Sequence, residues 1–376
     1  MLHWLLSPLQ DNIPTLRLIN YLAFRGAGAA VTALLLSFLV GPVIIRKLRA
    51  MKVQQGVRQG TPESHQGKAA TPTMGGLILL ASGIIPALLW TRLDNPYVIV
   101  TLIVTIWMGG IGFLDDYLKL KQKREGRVVD GLVERYKLAG QITIGLMVGI
   151  LLWQVPLSTL PGASTSVPFF KYILIVPAWT AIEFLYVGWV TFILTGVSNS
   201  VNLTDGLDGL SSGLSAIALV TFGLFAYVMG RTDASSYLQL FYLPGAGELA
   251  VLCLALAGAC VGFLWFNAHP AEVFMGDTGS LAIGGVLGAI AVMLKTEFLL
   301  AIVGAVFVAE AVSVMAQTTY FKYTKRKHGT GRRIFRMAPL HHHFEVGGVK
   351  ESQVVVRFWI VTMMLVLFGL SSLKLR

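Results

Sequence analysis

The chain has 376 residues, of which 55% are hydrophobic and only 13% charged, with a mean hydropathy of +0.70. This excludes a soluble core of ordinary polarity, because a bilayer-spanning helix needs about 20 apolar residues and such runs recur almost end to end. The net charge of +11 does not indicate nucleic acid: the cations flank apolar segments without an RNA- or DNA-binding motif, so membrane lipid headgroups and a phosphorylated substrate are the expected partners.

Residues 1–10 lack a basic start and a small-residue cleavage site, so no signal peptide is expected there. The apolar runs predict spans near 22–45, 72–92, 96–114, 134–153, 171–196, 209–229, 247–266, 279–294, 298–320 and 354–373. They are continuous rather than alternating, which favours helices that satisfy their own backbone over barrel strands. The expected fold is an all-α integral membrane protein, a single polytopic domain over residues 1–376 with about ten transmembrane helices. Lys and Arg gather after spans 1, 3 and 9: Arg46 to Lys68, Lys119 to Arg127, and Lys322 to Lys350. By the positive-inside rule those connections face the cytoplasm and, with ten spans, both termini are periplasmic. Cys253 and Cys260 sit about 10 Å apart along one expected helix, too far for a disulfide, and read as packing residues. The glycines lack collagen periodicity and concentrate in the spans, where small residues let helices approach closely.

Three acidic stretches then stand at the ends of apolar runs, all on the side of the basic loops. A carboxylate at mid-bilayer costs about 2.5–3.5 kcal/mol on insertion scales, so acids kept beside hydrocarbon usually hold a metal, a proton or a substrate. Asp115 and Asp116 follow the third run, at an expected helix C-terminus where the dipole disfavours anions. A divalent cation or a neighbouring lysine would compensate them; interfacial solvation is the plainer alternative. The segment from Asn199 to Gly209 carries Asn202, Asp205 and Asp208 among turn-forming glycines. It reads as a tight turn, or as a hydrogen-bonding surface for a base or sugar. Asp277, in Met275-Gly-Asp-Thr-Gly-Ser280, precedes the eighth run, so the residue is either an N-cap or part of an anion and magnesium site at free helix amides.

His341, His342 and His343 lie in the last basic loop. Consecutive side chains do not converge easily on one ion, which favours phosphate hydrogen bonding over a transition-metal cluster, with an exposed surface tract as the alternative. Glu183 and Glu310 fall inside expected spans 5 and 9 and read as internally paired or beside a water-filled cavity, outside the active site. A transporter would also keep intramembrane acids, but its binding site would lie near the midplane rather than at one face.

Taken together, Thr71-Pro-Thr73-Met-Gly-Gly76, Phe113-Leu-Asp-Asp-Tyr117, Asn202-Leu-Thr-Asp-Gly-Leu-Asp-Gly209, Phe274-Met-Gly-Asp-Thr-Gly-Ser280 and Pro339-Leu-His-His-His-Phe-Glu345 closely resemble one family. It is the bacterial phospho-N-acetylmuramoyl-pentapeptide transferases, within the polyprenyl-phosphate N-acetylhexosamine-1-phosphate transferase superfamily. The likeness runs from about Tyr21 to the C-terminus in consistent order. It implies transfer from UDP-N-acetylmuramoyl-pentapeptide to undecaprenyl phosphate, giving lipid I and UMP, with Mg2+ as cofactor, a homodimer, and a location in the bacterial cytoplasmic (inner) membrane. By position the resemblance makes Asp277 the magnesium ligand and Asp115 and Asp116 the essential acidic pair. Lys68, Thr73, Asn202, Asp205, Asp208, Asn267 and Phe274 surround the nucleotide, while His341 and His342 are catalytic and His343 substrate-binding. Asp115 would serve as proton acceptor or as nucleophile; both roles stay open. A related transferase that takes a simpler UDP-sugar would share the acidic sites; the histidine tract favours the pentapeptide family.

Overall fold

Hydrophobic continuity is realised as fourteen helices among the described residues. The structure, a computed structural model, describes residues 1–51, 71–125, 131–155, 157, 160–170, 173–176 and 184–373. The helices are α1 Leu2–Leu6, α2 Leu22–Ala50, α3 Gly76–Trp90, α4 Pro96–Arg124, α5 Glu134–Gln154, α6 Phe184–Thr204, α7 Leu210–Met229, α8 Thr232–Leu238, α9 Gly247–Asn267, α10 Gly276–Met293, α11 Glu297–Val303, α12 Ala305–His328, α13 Leu340–Val346 and α14 Glu351–Ser371. One antiparallel pair, β1 Thr165–Ser166 with β2 Leu174–Ile175, is the only sheet among the described residues.

Eight of these helices are long and apolar enough to cross a bilayer; the pair α11 and α12, bent by 83° at Gly304, adds a ninth span if it is counted as one. α3 has 15 residues, about 22 Å of helix, shorter than the hydrocarbon core. All-α membrane architecture therefore holds, with three of the expected runs redrawn. The second begins only at Gly76, because residues 72–76 pair with another loop described below. The fifth begins at Phe184 and runs to Thr204, while part of its expected start forms β2. The ninth is not straight.

α4 also outruns its apolar segment. Lys119 meets Asp115 one turn back, an i,i+4 pair at 2.5 Å, and Lys121, Lys123 and Arg124 fill the last turn, where cations oppose the helix dipole. The acidic pair consequently lies well inside a helix rather than at its C-terminus.

The centre of the bundle is α10, buried at every position from Thr278 to Met293, and packed against α4, α6 and α3. α9 fills a second centre between α2, α3 and α7, and Cys253 and Cys260 are buried on it. α14 by contrast exposes Met364, Leu367 and Phe368, which is favourable only against lipid or another apolar surface.

Two glycines set how closely α10 is approached. A Cβ on Gly112 would collide with the carbonyl oxygen of Asp277 and lie 2.7 Å from the Cα of Thr278; one on Gly76 would overlap the backbone of Gly279. We expect Gly112→Ala to force α4 off α10 and lower the thermal midpoint in detergent, an overpacking cost of about 1–3 kcal/mol. Gly110→Ala, with nothing within 4 Å of its new methyl, serves as the control and should leave the midpoint unchanged; equal midpoints for the two variants would contradict the packing argument.

Candidate active site

Backbone contact at Gly112 delivers Asp116, one turn on, to the first residues of α10. Its carboxylate accepts hydrogen bonds from the N–H of Thr278 at 3.0 Å, the Thr278 hydroxyl at 2.7 Å and, more loosely, the N–H of Asp277 at 3.4 Å. Asp116 therefore caps α10 from a neighbouring helix, satisfying amides that the helix start would otherwise leave open. The free-amide phosphate site expected from the local sequence is thus taken by a carboxylate of the same chain. Gly276, at φ +73°, admits this approach: a Cβ there would lie 2.8 Å from Asp116 and 2.9 Å from the Thr73 hydroxyl.

With its amides held, Asp277 turns its side chain toward Asp115. One oxygen from each of Asp115, Asp116 and Asp277 falls within 4.8 Å of the others. Two lysines answer that charge. Lys119 Nζ lies 2.5 Å from Asp115 and 3.3 Å from Asp277, and Lys137, in the first turns of α5, pairs with Asp277 and sits 3.6 Å from Asp115. Asp115 also accepts the N–H of Leu132 at 2.9 Å. On the other side the Asn202 amide donates to Asp277 at 2.9 Å and to the Ser280 hydroxyl at 2.8 Å. Asn202 does so from the last turn of α6, because the helix continues through a segment expected to be a turn. The lysines keep side-chain exposures of 33% and 19% against 2% for Asp115, so the cluster opens to solvent on their side.

This donor set fits a hard divalent cation. It is all carboxylate oxygen, it is gathered within about the span of one coordination shell, and three carboxylates against two ammonium groups leave a residual negative charge.

Beside the cluster, residues 71–76 pair with residues 272–276. The Phe274 N–H donates to the Pro72 carbonyl, and the N–H groups of Gly75 and Gly76 donate to the carbonyls of Phe274 and Met275, at 2.7–2.8 Å. Thr73 and Phe274 are partly exposed along this seam. Lys68 lies outside the described residues. Asp205 lies just past the end of α6; burial and the nearby Asp277 carboxylate push its carboxyl up to about 8. Asp208 and Asn267 are buried and turned to protein. Asn267 accepts from Gly209 N–H and the Ser212 hydroxyl, both at 3.1 Å, and donates to the Val273 carbonyl at 3.0 Å, tying the turn at 205–209 to the loop that carries Phe274.

The histidines take separate partners, although the rings of His341 and His342 stay in edge contact, centroids 4.2 Å apart. His343 accepts the Arg336 N–H at 3.1 Å, and His342 pairs with Glu345 at 2.8 Å. His341 turns inward and is fully buried; its N–H donates to Glu310 at 3.1 Å, and its Nδ1 lies 3.3 Å from the other Glu310 oxygen. The ring rests on Gly206, where any Cβ would overlap Nε2. Glu310 is thus paired internally with His341. Glu183 lies outside the described residues.

The glycosyl transferase family 4 profile matches residues 98–295, a stretch holding the three carboxylates, both lysines and Asn202. Over the full length of both chains, the sequence is 64% identical to a phospho-N-acetylmuramoyl-pentapeptide-transferase from Gemmatimonas aurantiaca, 48% to one from a Geobacter species and 46% to one from Pelodictyon phaeoclathratiforme. The chain belongs to the phospho-N-acetylmuramoyl-pentapeptide transferase family. It is a multi-pass membrane transferase, and its acidic motifs, far apart in sequence, meet at one end of the bundle.

Lys119 and Lys137 were not singled out by sequence. The i,i+4 spacing of Asp115 and Lys119 was a usable signal; nothing local marks Lys137. Glu310→Gln keeps an oxygen for the His341 N–H but removes the charge facing its ring. The variant should fold and lose transferase turnover about tenfold or more, because the carboxylate that holds the His341 backbone and faces its ring is weakened to an amide. Wild-type turnover in Glu310→Gln would place the Glu310 and His341 pair outside the working site.

Proposed function

We propose that the chain transfers phospho-N-acetylmuramoyl-pentapeptide from its UDP-linked donor to undecaprenyl phosphate, forming lipid I and UMP in peptidoglycan synthesis. The observation that carries this reading is the convergence of Asp115, Asp277, Lys119 and Lys137 in a solvent-open cluster next to the 205–209 turn and the Phe274 loop. A diphosphate needs cationic donors, a nucleoside needs a stacking face and a polar edge, and these lie side by side.

In this reading Phe274 stacks on the uracil ring, Asp205 serves its polar edge, and Thr73 and Lys68 flank the phosphates. Lys119 and Lys137 exchange part of their pairing with Asp115 and Asp277 for the substrate diphosphate, so the charge that develops on the departing UMP meets positioned ammonium groups. Asp115 faces the acceptor phosphate as proton acceptor or as nucleophile. Asp116 acts through α10, fixing Asp277 rather than touching substrate, and Asn202 orients Asp277 from the opposite side. His341 supports the turn through Gly206, while His342 and His343 line the basic approach for anionic substrate. Mg2+ is the expected cofactor, held by Asp277 with Asp115 within reach; when bound it neutralises diphosphate charge.

The Lys and Arg clusters beside the site orient this face to the cytoplasm and the termini to the periplasm of the inner membrane, where UDP-linked donors are soluble and the lipid acceptor arrives laterally. Exposed apolar faces such as that of α14 leave room for a homodimer within the bilayer.

Purified protein mixed with Mg2+, undecaprenyl phosphate and UDP-N-acetylmuramoyl-pentapeptide should yield lipid I and stoichiometric UMP by mass spectrometry. Omitting the lipid should abolish UMP release. No lipid I from folded, lipid-supplemented protein, with efficient use of UDP-N-acetylglucosamine instead, would overturn the substrate assignment. Asp277→Asn should fold and lose turnover on the order of 10²-fold or more, and should also lose the Mg2+-dependent rise in thermal midpoint expected of the wild type. Retention of both would remove Asp277 from the ligand role.

A further inference from the structure

The turn at 205–209 is gripped from a direction that the motifs do not reveal. Glu351, the first residue of α14, is 9% exposed, and one of its oxygens accepts the Asp208 backbone N–H at 2.9 Å. Its other oxygen lies 3.5 Å from His269 Nδ1. The same nitrogen lies 3.1 Å from the Asp208 carboxylate, which also accepts the Ala271 N–H at 3.1 Å. An imidazole therefore sits between two buried carboxylates contributed by two different segments, all three groups within 4.8 Å. The bridge joins the turn, the loop leading to Phe274 and Asp277, and the start of α14.

Neither His269 nor Glu351 lies in a motif that marks the site, and neither faces the cluster of Asp115, Asp116 and Asp277. We propose that Glu351 and His269 are positioning residues for nucleotide recognition, fixing the turn that presents Asp205 and its spacing from Phe274. The geometry carries this. Asp208 has its backbone held by Glu351 and its side chain held by His269 and Ala271, and Gly209, at φ +80°, has its N–H held by Asn267. The backbone that presents Asp205 is thereby anchored from α14 and α9 on the side away from the carboxylate cluster. The Glu351 bond to the Asp208 N–H is enclosed while the His269 ring is half exposed; a buried hydrogen bond to a charged group resists displacement far more than a solvent-exposed one, so Glu351 is the stronger of the two holds on the turn. The bridge also couples the C-terminal helix to the donor site, because the α13 segment with the three histidines leads directly into Glu351.

The inference rests on the proposed reaction, and its test keeps the two apart. Full-length protein in nanodiscs is compared as wild type, Glu351→Ala, Glu351→Gln and His269→Ala, by calorimetric binding of UMP and by separate KM values for the UDP donor and the lipid acceptor. Glu351→Ala and His269→Ala are expected to weaken UMP binding and raise the donor KM about tenfold, with the acceptor KM within about twofold of wild type. Glu351→Gln, which keeps an acceptor for the Asp208 N–H, should recover part of the loss. Wild-type UMP affinity in Glu351→Ala, or an equal rise in both KM values, overturns the positioning role. If Glu351→Ala does not fold, Glu351→Gln and His269→Ala decide by the same criteria. A wild-type protein that forms no lipid I with the UDP donor refutes the reaction itself; an active wild type with unaltered variants refutes only the bridge.

Discussion

The contact between α4 and α10 at Gly112 is the constraint on which the site depends. Two helices that touch backbone to backbone place Asp116 on the amides of Asp277 and Thr278, so the start of α10 is capped by a side chain from α4. The cap fixes the direction in which Asp277 leaves its helix, and Asp277 in turn meets Asp115, Lys119, Lys137 and Asn202. A methyl group at residue 112 would act at all of these positions at once, since protein interiors transmit displacement rather than absorb it.

Electrostatics separates the cluster from a structural lock. At the other end of the bundle Arg25 and Glu248 form a buried bidentate pair at 2.7 and 2.5 Å, and the Arg92 N–H adds a third bond at 3.0 Å. Those charges are enclosed and paired with each other, and Arg25 also donates to the Trp90 carbonyl, so that pair holds α2, α3 and α9 together. At the α4 and α10 end the lysines remain partly exposed and are shared between two carboxylates, so an incoming phosphate can replace one partner without leaving a buried ion alone. Burial of charge is common to both ends; only one of them can exchange partners.

Much of this was legible in the sequence because apolar runs, glycine-rich turns and acids at the ends of runs are local signals. The all-α membrane architecture and the gathering of the acidic motifs at one end followed from such signals. What escaped depended on where helices stop and on what lies across from them. Lys119 extends α4 past its hydrophobic stretch, which moved Asp115 and Asp116 from a helix end to a helix interior. Asn202 was expected in a turn because Asn and Gly favour turns, yet packing carried α6 to Thr204 and aimed its amide at Asp277. Lys137 and Glu351 carry no local pattern at all, since each meets a partner more than a hundred residues away in sequence, Asp277 and Asp208 respectively.

The turn at 205–209 shows how the fold converts weak local preferences into a defined pose. Glycines at 206 and 209 permit the chain to reverse but do not choose among the conformations they permit. The choice is made from outside: His341 occupies the space over Gly206, Asn267 takes the Gly209 N–H, and Glu351 takes the Asp208 N–H. Each of these residues belongs to a different helix or helix end, so the shape of the turn reports the packing of α9, α13 and α14 together. Recognition of a flat base needs that shape held to a fraction of an ångström, and flexible residues supply it only when rigid neighbours surround them. A sequence motif rich in glycine and aspartate therefore marks where the chain turns, while the residues that fix the shape of that turn lie on the helices that enclose it.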